Sequence, residues 1–74
     1  MRTTTDFSIA WKNVEHFLSM HNKPIWLVAE GDDYHITVIK PTKENIAPGT
    51  SAIQYEKIDG EIVETGRINN FDGL

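Results

Sequence analysis

The stretch that decides the fold is Ile25–Lys40, IWLVAEGDDYHITVIK. Two runs rich in β-branched and aromatic residues, IWLVAE and YHITVIK, flank Gly31-Asp32-Asp33, and that arrangement predicts a β-hairpin. A two-residue loop at Asp32-Asp33 sets Glu30 opposite His35, Ala29 opposite Ile36 and Leu27 opposite Val38. A loop at Gly31-Asp32 keeps the same faces but puts Glu30 against Asp33, a like-charge pair that costs stability, so the first register is the expected one. Ile25, Leu27, Ala29, Ile36 and Val38 then make one core face.

On the N-terminal side, Asp6 is placed to cap a helix carrying Phe7, Ala10, Trp11, Val14, Phe17 and Leu18 at the i, i+3, i+4, i+7 spacing of a single buried face. Asn22 can adopt the left-handed conformation that closes a helix and Pro24 cannot continue one, so the helix should end near His21. On the C-terminal side, Pro41–Gly49 reads as a loop with a helical turn at Lys43–Ile46. SAIQYEKI and EIVETGRI then flank Asp59-Gly60, a dipeptide suited to a tight hairpin because both turn positions need positive φ. That loop pairs Lys57 with Ile62, Glu56 with Val63 and Tyr55 with Glu64. Residues 69–74 read as a flexible C-terminal tail. The expected fold is α+β: one domain over residues 1–74, with an N-terminal helix on one face of an antiparallel sheet of about four strands, in the order α-β-β-β-β.

A chain of 74 residues has a thin core, and without cysteine neither a disulfide nor a thiolate metal site can reinforce it. The missing cysteines favour a cytoplasmic setting, since small secreted domains are disulfide-dense. No apolar run approaches the 18 or more residues of a membrane span, so no membrane association is expected. The 7 Lys+Arg against 11 Asp+Glu give a formal charge of −4, which disfavours a sequence-independent grip on nucleic-acid phosphates. All of that excess falls after Lys43, with Glu56, Asp59, Glu61 and Glu64 spread through the second hairpin.

No pattern carries chemistry. His16 and His21 are five residues apart on a helix and do not share a face, and His35 lies on a strand, so no metal site is expected. Asp32 and Asp33 fall where a turn favours aspartate for backbone reasons. Neither a phosphate-binding glycine loop nor a serine elbow occurs, and no catalytic residue, cofactor or enzymatic activity is expected.

The feature demanding explanation is the other face of the first hairpin, with Trp26, Val28, Thr37 and Ile39 and no second helix to cover them. Either the second hairpin curls across and makes Trp26 a core residue, or the patch meets another chain. The sequence thus points to a small acidic accessory, adaptor or inhibitor protein that acts by binding a partner protein or a second copy of itself through an open sheet face, not by catalysis. Its candidate contacts are Trp26, Val28 and Ile39, with Glu56, Asp59, Glu61 and Glu64 as an acidic patch for a basic target, and a homodimer is the expected assembly. The rival from another class is single-stranded nucleic-acid binding through Trp26 and Tyr34, which the flanking acids oppose. A narrower variant makes the acidic hairpin a nucleic-acid mimic that blocks a basic nucleic-acid-binding protein.

Overall fold

A computed structural model describes residues 4–42, 44 and 47–70, apart from the Asn70 side chain. It has one helix, α1 (Phe7–Met20), and four strands, β1 (Ile25–Glu30), β2 (Asp33–Thr37), β3 (Thr50–Ile58) and β4 (Glu61–Asn70). The strands form a single antiparallel sheet in the order β2-β1-β3-β4, which is the α+β, α-β-β-β-β arrangement the sequence predicts. Among the described residues no helix is long and apolar enough to cross a membrane.

Asp6 caps α1 as expected, accepting hydrogen bonds from the Ser8 N–H at 2.9 Å and the Ser8 hydroxyl at 2.7 Å. These bonds, the hydroxyl first, hold its carboxyl below the ordinary value. The helix ends at His21, whose N–H donates to the Phe17 carbonyl. Asn22 does not take a left-handed conformation: the chain is already extended at His21 and runs on to Pro24, which makes a glycine-like cap unnecessary.

Ala10, Val14 and Leu18 bury against Ile25, Leu27 and Ile36, flanked by Trp11, Phe17, Tyr34, Tyr55 and Ile62. Fully burying each of the larger aliphatic side chains contributes about 1.5–3 kcal/mol. Phe7 sits at the rim, edge-on to Tyr34 at 5.5 Å between ring centroids, while Trp11 lies edge-on to Tyr55 at 5.0 Å.

The first hairpin takes the register that the charge argument disfavours. Glu30 pairs with Asp33, Ala29 with Tyr34, Val28 with His35 and Leu27 with Ile36, so His35 does not face Glu30. Backbone conformation decides it. The loop is Gly31-Asp32, with Gly31 at φ +59° and Asp32 without a positive φ, the pattern of a II′ turn with glycine first. The other register would force an aspartate into the position glycine occupies, whereas two exposed carboxylates repel only weakly in water. As a result β2 ends at Thr37, whose hydroxyl accepts from the Ile39 N–H at 3.1 Å. Val38, expected in the core, is half exposed beyond the strand end.

The second hairpin forms as read, with Asp59 at φ 52° and Gly60 at φ 83° and the expected pairs Lys57–Ile62, Glu56–Val63 and Tyr55–Glu64. Past Tyr55 the register shifts: Gln54 pairs with Gly66, which leaves Thr65 as a bulge. Strand β4 continues through Asn70, so residues 69–70 belong to the sheet rather than to a tail, and residues 71–74 lie outside the described residues. The helical turn expected at Lys43–Ile46 also falls largely outside them.

Because β2 and β3 are each antiparallel to β1, they run parallel to one another with β1 between them. Segment 38–49 leaves β2 beside Trp26 and joins β3 near Ala29, so it must travel back along the sheet over one face. The helix occupies the other. Lys40 borders the same hollow as Trp26, and Pro41 is buried, which puts the start of that path on the Trp26 face.

Candidate interaction surface

On the face away from α1, Trp26, Val28 and Ala52 form a second buried cluster with Ile68 packed against it. Trp26 is 4% exposed and Val28 is 2% exposed within the single chain. The expectation of an open, indole-bearing face with Trp26 and Val28 as contact residues is therefore corrected.

Three features seal that face. Lys40 borders Trp26 there and Pro41 is buried just beyond it; Ala52, opposite Val28, is small; and Trp26, Gln54 and Gly66 lie in one row across three strands. A Cβ on Gly66 would stand 3.4 Å from the Trp26 Cη2 and 3.1 Å from the Gln54 Oε1. The indole thus reaches across β3 to the glycine of the next strand, the arrangement by which an aromatic residue stabilises a glycine in a sheet. The lone glycine in EIVETGRI was the available signal, since an isolated glycine in a strand marks a bulge or a close approach, and this one sits beside both. Trp26 and Tyr34 also point to opposite faces, Tyr34 toward α1, so they form no shared platform for stacking bases.

Of the proposed apolar contacts only Ile39 is open, at 73% exposure, beside half-exposed Val38 and remote in kind from the buried cluster. His16 on α1 and His21 at its C-terminal cap are both exposed, and no group of three or more metal-ligating side chains occurs among the described residues.

The acidic residues divide. Strand β1 begins at Ile25, opposite Tyr55, so residues 56–63 pair only within their own hairpin and project past the central sheet. Glu56, Ile58, Glu61 and Val63 share the face away from α1, with Glu56 opposite Val63 and Glu61 opposite Ile58. Asp59 stands at the tip, and Ile58 is 48% exposed. Among the described residues none of these three acids has an ion-pair partner.

Glu64 does not belong with them. The Thr65 bulge flips the alternation, so that Glu64 and Arg67, three apart, point to the same side, the face that carries α1. The Arg67 Nη2 donates to the Glu64 Oε1 at 2.9 Å and the Nε to the Oε2 at 3.3 Å, a two-pronged pair. That guanidinium holds the Glu64 carboxyl below its ordinary value. Burial pushes the neighbouring Tyr55 hydroxyl up, and the Glu64 charge adds to the effect. The acidic patch is therefore Glu56, Asp59 and Glu61 around Ile58.

Comparison with known protein families, curated proteins and solved structures found no match to this chain.

Proposed function

We propose that this chain is a protein-interaction module that works by binding rather than catalysis, engaging a partner protein of basic surface through its projecting hairpin and self-associating elsewhere on the chain. The observation that carries the reading is the uncovered hairpin face, where Glu56, Asp59 and Glu61 ring the half-exposed Ile58. An apolar centre with a charged rim is the layout in which the centre supplies affinity and the rim supplies steering. Trp26, buried within the chain, takes no part in that surface.

The test is a fluorescence-anisotropy titration with a labelled lysine- and arginine-rich peptide. Binding should weaken steeply as salt rises and should be lost in the triple variant Glu56→Gln, Asp59→Asn, Glu61→Gln. Equal binding by the wild type and the triple variant would refute the reading.

A further inference from the structure

The two edges of the sheet are unlike. The outer side of β2 is occupied at Tyr34, which exchanges backbone hydrogen bonds with Thr4 at 2.9 and 2.6 Å. Along β4, the longest strand, nothing pairs with the outer side among the described residues. A long open edge is a template for another strand, and proteins usually blunt it with charges or bulges. Strand β4 carries both, yet placed so that they match a copy of itself.

We propose that β4 is the contact strand of a symmetric homodimer, pairing antiparallel with the β4 of a second copy about a two-fold axis between Thr65 and Gly66. This rests on the self-association part of the reading above and gives it a strand and a register. In that register each Glu64 lies opposite the second copy's Arg67, Val63 opposite its Ile68, Ile62 opposite its Asn69, and Glu61 opposite its Asn70.

The bulge makes those pairs possible. In a regular strand, residues at odd separation point to opposite faces, so Glu64 could not stand beside Arg67 of a two-fold partner. The unpaired Thr65 shifts the alternation by one: Glu64 and Arg67 both lie on the α1 face, and Val63 and Ile68 both lie on the Trp26 face. An axis normal to the sheet preserves faces, so both charge pairs form on one side, both apolar pairs on the other, and the two helices cover the same side of an eight-stranded sheet. Centring the pair on Glu64 or on Arg67 would instead face like charges. The devices that blunt this edge against other strands thus select a single register for its own kind.

The test uses two charge-reversed variants, Glu64→Arg and Arg67→Glu. The first carries two cations at these positions and the second two anions, so each repels itself and attracts the other. A single strand pair falls in the weak class of interfaces, so sedimentation should run up to about 1 mM protein. The wild type should dimerise, each variant alone should associate about tenfold or more weakly, and an equimolar mixture should recover wild-type association as a heterodimer.

Amide hydrogen exchange of the wild type supplies a readout independent of variant folding: protection should rise with protein concentration in residues 62–69. A wild type that stays monomeric throughout would overturn both this proposal and the self-association reading. Dimers that ignore both reversals, or protection gained only outside β4, would overturn the β4 register while leaving self-association standing.

Discussion

Trp26→Ala should be the most damaging single truncation in the chain. The indole is 4% exposed. A buried aromatic removes about 150–250 Å² from water, which at about 25 cal/mol per Å² contributes roughly 4–6 kcal/mol before the share an alanine retains. The expected loss is therefore about 3–5 kcal/mol. A domain of 74 residues has about 4–11 kcal/mol in total, so the loss takes about a quarter or more of it and unfolds the chain at 25 °C if the total lies at the low end of that range. Urea denaturation followed by far-UV circular dichroism measures it. Two comparisons locate the cause. Trp11→Ala should cost less, because that indole is only partly buried, and Ile39→Ala should cost under about 0.5 kcal/mol at 73% exposure. A loss at Trp26 no larger than at Ile39 would refute the sealed-face reasoning.

Two further outcomes follow from individual groups. Thr50 is 1% exposed, and its Oγ1 has no hydrogen-bond partner among the described residues, so Thr50→Val should raise stability by about 1 kcal/mol in the same denaturation assay, whereas a loss would show that the hydroxyl is bonded. The carboxyls of Asp6 and Glu64 are lowered in the folded chain, so the stability they confer is complete above their ordinary values of 3.8 and 4.5 and drains away as pH falls through and below them. Melting temperature measured from pH 6 to pH 2 should fall, and should fall less in Asp6→Asn with Glu64→Gln.

Local features were the legible ones. Asp6 and the apolar spacing of Phe7 to Leu18 mark α1 almost to the residue, and Asp59-Gly60 fixes the second hairpin because the turn accepts few other sequences. The first hairpin follows the conformational freedom of Gly31 and not the weak repulsion between two exposed carboxylates. The larger miss was topological. Counting layers credits only α1 as cover, whereas placing β1 between β2 and β3 obliges their connection to cross a face, and Lys40 borders Trp26 on the face away from α1. Hydrophobic pattern alone does not order strands, so Trp26 reads equally well as a contact residue or as core. The acidic patch survives without Glu64 because the bulge at Thr65, which turns that side chain to Arg67, has only Gly66 as its sequence trace.

The claim that binding resides on the projecting hairpin is tested most directly by residue-resolved mapping. Amide chemical shifts of the labelled protein would be recorded as a lysine- and arginine-rich peptide is added. The account predicts progressive shifts at Glu56, Ile58, Asp59, Glu61 and Val63, with the Trp26 indole signal unmoved. Shifts centred on Trp26 and Val28, with the hairpin silent, would contradict it.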